Sequence, residues 1–168
     1  MSKKKLPHQQ RQPKASRPFM SGFRFPKGVK GLLPWKWADR RLKKSHHYWL
    51  ATTWPDGRPH VMVVWGLWLE GAFYFSTGRQ SRKGRNLEAN PYCVVCTEQA
   101  DEAVILEGTA RVIPEGALVR KILSLYKRKY RWDPTSLDQP MYSVRPSTLF
   151  GLDEKRGPEA ATRWKFPA

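Results

Sequence analysis

A polar loop at residues 76–83 carries the strongest chemical signal in the sequence. Its hydroxyl and cationic side chains are Ser76, Thr77, Ser81, Arg82 and Lys83. Ser81 is a suitable N-cap, and two cations in the first helical turn are unfavourable beside the positive end of the helix dipole. An anion is therefore expected there, and backbone N–H groups, hydroxyls and cations together suit a phosphate. A solvated basic turn is the alternative.

The preceding segment, residues 60–69, is almost entirely apolar. A half-exposed antiparallel strand would alternate apolar with polar side chains, so both faces of this strand are expected to be covered. The cover could be a helix or a partner subunit. The more specific alternative is a flat aromatic ligand that lies against one face of the strand at a subunit interface.

Few other residues suggest chemistry. His60 could contact a ligand's carbonyl or phosphate oxygen, although a histidine at the start of a strand is more often a structural hydrogen-bonding group. Cys93 and Cys96 lie three positions apart in a predicted strand, about 10 Å from each other and on opposite faces, beyond the ~7 Å reach of a disulfide. They are predicted to pack in the core. The four histidines have no zinc-like spacing with the cysteines, so no metal is expected.

The hydrophobic pattern indicates which elements would position these residues. Helical spacing predicts helices, and β-rich runs between Pro, Gly and Asn turns predict strands. In the last helix, Leu118, Ile122, Leu125 and Tyr126 are predicted to share one face. The result is mainly β with flanking helices (α+β), an antiparallel sheet of about six strands that suggests a small barrel. The predicted helices are 35–44, 81–89 and 115–130, and the predicted strands are 48–53, 59–69, 72–77, 92–97, 103–113, 141–144 and 162–166.

Charge divides the 168 residues into two regions. The formal net charge is +17, but residues 1–50 alone carry 14 Lys and Arg against one Asp, which leaves +4 for the rest. Residues 1–28 are predicted to be a basic, disordered leader, and 29–168 to be one folded domain. No apolar run is long enough to span a membrane and no secretory signal is present, so the cytoplasm is the expected location.

Several motifs, taken in order, resemble the pyridoxamine 5′-phosphate oxidase-like split-barrel family, which includes flavin- and deazaflavin-dependent oxidoreductases. The resemblance covers about residues 35–166. It rests on His60-Val61-Met62-Val63-Val64-Trp65-Gly66, Phe75-Ser76-Thr77, Ser81-Arg82-Lys83, Asn86-Leu87, Asn90-Pro91 and Arg163-Trp164-Lys165-Phe166.

The resemblance implies a split β-barrel of the FMN-binding type and a homodimer with two cofactor sites at its interface. The FMN phosphate would be held by the 76–83 loop, through Ser76, Thr77, Ser81, Arg82 and Lys83. The isoalloxazine ring would lie on the second strand, with His60, Val61, Met62, Val63 and Trp65 as its contacts. Trp164 would close the site from the partner subunit.

The sequence departs from the oxidase itself at both ends of the second strand. The oxidase has an arginine and a lysine where this chain has His60 and Trp65. Because that lysine serves the substrate phosphate, its absence argues against pyridoxamine phosphate oxidation and favours the broader oxidoreductase branch. The predicted function is an FMN-dependent oxidoreductase that transfers hydride to or from a small molecule, with no catalytic side chain required. A reductase using the deazaflavin coenzyme F-420 is the alternative, in which the basic leader would hold the coenzyme's polyglutamate tail.

A third hypothesis belongs to another class, a nucleic-acid-binding small barrel that uses the basic leader for phosphate contacts. The aromatic residues argue against it for the folded body, because they lie among apolar neighbours in strands and do not alternate with Lys and Arg. A haem-handling protein on the same barrel is also conceivable, but no residue points to it.

Overall fold

The computed structural model describes residues 13–19, 21–22, 25–132 and 139–167. Three helices and nine strands make up this part of the chain. The helices are α1 (Trp35–Lys44), α2 (Arg82–Ala89) and α3 (Ala117–Tyr130). The strands are β1 (Lys14–Ser16), β2 (Tyr48–Thr53), β3 (Pro59–Val64), β4 (Leu67–Leu69), β5 (Ala72–Ser76), β6 (Tyr92–Thr97), β7 (Val104–Val112), β8 (Met141–Gly151) and β9 (Thr162–Lys165).

Antiparallel pairing closes the strands into a ring. β3 pairs with β2, β2 with β6, β6 with β7 and β7 with β8, while β8 pairs with β5 and β5 with β4. Only residues 65 and 66 separate β3 from β4, so these two strands are the halves of one bent strand that completes the ring. The first part of β8 pairs with β5 and its last part pairs with β9, so the barrel splits along β8. The predicted α+β split barrel is therefore confirmed.

Two apolar clusters hold the barrel together. The larger one fills the interior and is covered by α1, whose Ala38 and Leu42 are fully buried in it. The smaller one joins the outer side of β4 and β5 to α3 through Ile122 and Tyr126. Leu118, predicted to share that face, is 39% exposed, because the buried stripe of α3 begins one turn later.

The predicted strand over 59–69 is broken at Trp65-Gly66. A Cβ atom at Gly66 would lie 2.1 Å from the Phe73 ring, so only glycine allows the chain to pass this close to β5. The break turns the Trp65 side chain outward, where it is 40% exposed.

The predicted leader contributes one strand to the sheet. β1 pairs with β9 at the edge of the sheet. Arg17 then donates hydrogen bonds to the carbonyls of Gly28, Lys30 and Glu159, which fastens the segment to the body. Residues 1–12, 20, 23 and 24 of the predicted leader lie outside the described residues.

Candidate cofactor site

A cavity of about 1510 Å³ opens between the bend of the β3–β4 strand, the 76–83 loop and α3. It contains six of the eleven side chains predicted to bind a cofactor, which the fold brings together from two separate parts of the chain. These six are Val63, Trp65, Ser76, Thr77, Ser81 and Lys83.

The 76–83 loop is preorganised by its own hydrogen bonds. The Ser81 hydroxyl accepts the Gly84 N–H at 3.1 Å and caps α2, and it lies 3.0 Å from the hydroxyl of the buried Thr77. Gly84 lets the loop pack directly on the helix, since a Cβ there would lie 2.5 Å from the Gly78 carbonyl oxygen. The hydroxyls and the first amides of α2 are thereby fixed around one point.

The cations of the loop separate into two groups. Arg79 and Lys83 line the cavity, and no ion pair involves either of them within the described ranges. Arg82 does not line it, because its guanidinium lies 3.5 Å above the ring of Trp54 at the β2–β3 turn. Of the predicted pair Arg82 and Lys83, the cavity lining therefore includes Lys83, together with Arg79, and not Arg82.

Arg82 stands among like charges. Partial desolvation, and then the positive charges of Arg85 and Arg58, lower the pKa of Arg82 from its ordinary value. Arg58 also contacts the Trp54 ring, at 4.5 Å. Asp56 pairs with Arg58, so the guanidinium groups that favour an anion next to the mouth of the loop are those of Arg82 and Arg85.

His60 does not line the cavity and belongs to a polar network beneath α2. Its Nδ1 lies 3.3 Å from the Thr52 hydroxyl, which in turn accepts a 3.0 Å hydrogen bond from the buried Asn86 amide. This arrangement agrees with the interpretation of His60 as a structural hydrogen-bonding group.

Trp164 corrects a further expectation. Its ring is 1% exposed and lies in the interior cluster, 5.8 Å from Trp35 in an edge-on contact. The ring also packs against Gly151, where a Cβ would lie 2.8 Å from it. Trp164 is thus enclosed by its own chain and has no free face for a partner's cofactor.

Val61 and Met62 also lie away from the cavity. They are 54% and 48% exposed, so no helix of the described chain covers this strand. Of the covers considered for it, a partner subunit and a ligand remain.

An aromatic wall forms the end of the cavity near Trp65. The Trp65 ring stacks on Tyr130 at 4.6 Å with an angle of 3°, and Trp132 meets it edge-on at 5.8 Å. Tyr130 and Lys129 hold Gly66 in place, since the Tyr130 hydroxyl accepts the Gly66 N–H and the Lys129 ammonium donates to the Gly66 carbonyl. The end of α3 therefore positions Trp65.

The ammonium of Lys129 gives this clamp a pH dependence. Burial lowers its pKa to about 8, against about 10.4 in an unfolded chain. Between pH 8 and 10 the unfolded chain therefore binds more protons at this position than the folded chain, so the Lys129 contribution to the free energy of unfolding rises with pH.

Replacing Lys129 by Met is expected to remove this rise. The melting temperature of the wild type minus that of Lys129→Met should increase between pH 7.5 and 9.5. Burial raises the pKa of Cys93 to about 12, which gives an opposite slope, but both proteins share it and the difference cancels it. A difference in melting temperature that stays constant across this pH range would show that the ammonium is not desolvated.

The predicted core packing is confirmed for Cys93, which lies in the interior cluster, whereas Cys96 is only partly buried. Cys93 and Cys96 are free thiols on β6, one buried and the other partly buried. Burial raises the pKa of both thiols, which disfavours the reactive thiolate. No group of three or more metal-ligating side chains occurs in the described parts of the chain, and no helix there is long and apolar enough to cross a membrane.

Sequence reasoning missed the residues that reach the cavity through tertiary packing. These residues include Arg79, Tyr126 and Trp132, which all line the cavity. Arg79 lies inside the loop that was singled out, so its charge and position were a usable signal. Tyr126 and Trp132 depend on where α3 docks, which the sequence does not state.

A barrel split along one strand, with a cavity that joins a hydroxyl- and cation-rich loop to an aromatic wall, defines an α+β split-barrel domain with a ligand cleft. The sequence model of the family described as pyridoxamine 5′-phosphate oxidase matches residues 36–150, and the chain belongs to that family. No curated protein matches it significantly by sequence.

Solved structures of several kinds share the fold. An F-420 reductase is 24% identical with a TM-score of 0.55, and the match covers 66% of this chain and 94% of that one. A putative pyridoxamine 5′-phosphate oxidase from Listeria innocua is 15% identical with a TM-score of 0.58, over 68% and 94% of the two chains. HutZ, a heme storage protein from Vibrio cholerae, is 17% identical with a TM-score of 0.57, over 69% and 90%. These likenesses establish the fold and leave the ligand open.

Proposed function

We propose that this protein is an FMN-dependent oxidoreductase that transfers hydride to or from a small molecule. One observation carries the proposal: a single cavity joins a phosphate-suited loop at 76–83 to a wall of Val63, Trp65 and Tyr126. FMN has the same two parts, a phosphate and a flat conjugated ring. Membership of the family supports the proposal.

The residues present fit this cofactor. The Thr77 and Ser81 hydroxyls, the first amides of α2 and the cations of Arg79 and Lys83 would hold the phosphate, while Val63 and Tyr126 would contact the ring. A charge-assisted hydrogen bond contributes roughly 1.5–3 kcal/mol, so a few such contacts anchor a cofactor without a covalent bond.

When bound, FMN supplies the two-electron chemistry. The protein's own residues hold the phosphate, orient the ring and keep water from it. Glu115 is the one carboxylate among the described residues that line the cavity. The lining therefore offers no pair of carboxylates for acid–base work. No catalytic side chain is therefore assigned.

We also propose that the protein is a homodimer and that the exposed strand β3 forms the interface. Val61 and Val63 lie opposite Ala51 and Trp49 of β2, and Val61, Val63 and Trp49 are each between 42% and 54% exposed. Such a contiguous apolar face on a barrel marks an interaction surface. A second copy of the chain over it would also close the neighbouring cavity.

The second candidate cofactor is the deazaflavin coenzyme F-420. The guanidinium groups of Arg82 and Arg85 beside the loop favour this coenzyme. They supply more positive charge than a single phosphate needs, and an acidic polyglutamate tail would use it. The basic residues of the leader add to this charge.

Cofactor uptake tests the proposal. Apoprotein titrated with FMN should quench the flavin fluorescence with a dissociation constant in the micromolar range or below, and riboflavin should bind more weakly because it lacks the phosphate. Tighter binding of F-420 than of FMN would favour the deazaflavin reductase. Absence of uptake of both cofactors would refute the proposed function, and a Soret band after addition of haem would then favour a haem-handling role.

A further inference from the structure

The cavity is larger than most ligand pockets. Ligand pockets commonly measure roughly 300–1,000 Å³, whereas this cavity measures about 1510 Å³. Its charged lining residues in the described chain are Arg79, Lys83 and Glu115. The first two belong to the 76–83 loop, and Glu115 lies just before α3, whereas Trp132 lies just after the end of that 14-residue helix. Glu115 and Trp132 therefore lie at opposite ends of α3.

Two indole rings make a corner at the Trp132 end of the cavity. Trp65 and Trp132 meet at 77°, with ring centroids 5.8 Å apart. Both remain partly open, at 40% and 38% exposed, and both line the cavity. A flat ring can stack on one indole while its edge meets the other, and aromatic groups favour both geometries.

The Trp65 half of the corner is held in place by contacts within the chain. Tyr130 backs the Trp65 ring, and its hydroxyl donates to the His46 carbonyl at 2.7 Å. Tyr126 donates a hydrogen bond to the Trp65 carbonyl. Because the backbone at Trp65-Gly66 is fixed on both sides, binding there orders little that is mobile, which favours affinity.

The ammonium of Lys129 does not serve the corner. The Lys129 ammonium donates to the Gly66 carbonyl and to the Tyr48 hydroxyl, at 2.9 and 3.1 Å, and Lys129 is absent from the cavity lining. A ligand that carried a phosphate or carboxylate at this end would meet no free cation among the described lining residues. An uncharged ring would lose nothing by that.

We propose that the corner of Trp65 and Trp132 is the substrate subsite and that it selects planar, uncharged, conjugated bicyclic rings of the naphthoquinone type. The inference rests on the proposed function, since it names the substrate class of the same cavity. It concerns binding alone, so it can be tested with and without FMN.

Calorimetric titration with 2-methyl-1,4-naphthoquinone tests the subsite. Trp65→Leu and Trp132→Leu are each expected to weaken binding by about tenfold or more, because each removes a stacking face. Trp65→Phe keeps a ring and should lose no more than about threefold. Phe19→Leu is the matched control, since Phe19 is 89% exposed and does not line the cavity. A saturated bicyclic diketone of the same size should bind the wild type at least about tenfold more weakly, because it cannot stack.

The same protein preparations are titrated with FMN, which separates the two proposals. Two outcomes would overturn the subsite and leave the proposed function standing. In the first, the protein binds FMN and neither leucine variant weakens quinone binding. In the second, the protein binds FMN and does not bind the quinone. Equal affinity for the saturated diketone would also overturn the subsite. Failure to bind FMN, with quinone binding still lost in both leucine variants, would support the subsite and refute the proposed function. Trp132→Leu keeps the test decisive if Trp65→Leu does not fold.

Discussion

Replacing Lys83 by Met is expected to weaken FMN binding by about 10- to 100-fold while changing riboflavin binding by no more than about twofold. Lys83 lines the cavity beside the hydroxyls of Thr77 and Ser81. A charge-assisted hydrogen bond to phosphate is worth roughly 1.5–3 kcal/mol, which corresponds to that range of affinities. Riboflavin lacks the phosphate, so it should not sense the loss. Flavin fluorescence titration measures both ligands.

The matched control is Lys44→Met, on the exposed side of α1, which should leave both affinities unchanged. The slope of FMN affinity against salt concentration should also fall in Lys83→Met and stay constant in the control. Equal losses for FMN and riboflavin would mean that the substitution disturbs the cavity as a whole, and the assignment of the phosphate to this loop would fail.

A comparison of two arginines sharpens the same result. Arg79 lines the cavity, whereas Arg82 rests on Trp54. Arg79→Met should therefore reduce FMN affinity more than Arg82→Met does. The sequence suggested the opposite choice, because a position in the first turn of a helix indicates proximity to its N-terminus and says nothing about which way a long side chain turns.

Local sequence patterns predicted what local interactions decide. α1 begins at Trp35 and ends at Lys44 as expected, and the Ser81 cap of α2 forms with its own Gly84 N–H. Both depend on residues within one or two helical turns, which a sequence displays directly.

Contacts distant in the chain decided the remaining features. The break at Gly66 depends on the Phe73 ring. It also depends on Tyr130, which lies more than sixty residues away along the chain. Trp164 is enclosed by Trp35 and Gly151, so the same alternating pattern that predicts a strand could not show which surface would cover its ring. The aromatic corner could not be predicted for the same reason, since Trp65 and Trp132 meet only when α3 docks.

Replacing Val61 by Glu is expected to raise the dimer dissociation constant by at least about 100-fold. Val61 is 54% exposed in the single chain and lies on the apolar face with Val63 and Trp49. In the proposed dimer this substitution would bury a carboxylate without a partner, at a cost of several kcal/mol. Analytical ultracentrifugation over a range of protein concentrations measures the dissociation constant directly.

FMN affinity should fall together with dimerisation, because the cavity opens beside β3 and a second copy would close it. Val61 itself does not line the cavity, so in the proposed dimer its substitution is expected to weaken FMN binding through the loss of the partner. Leu118→Glu is the control, since Leu118 is 39% exposed on α3 and away from the β3 face. It should leave the protein dimeric. A Val61→Glu protein that remains a dimer would exclude this face as the interface, and a wild type that binds FMN fully as a monomer would show that one chain completes the site alone.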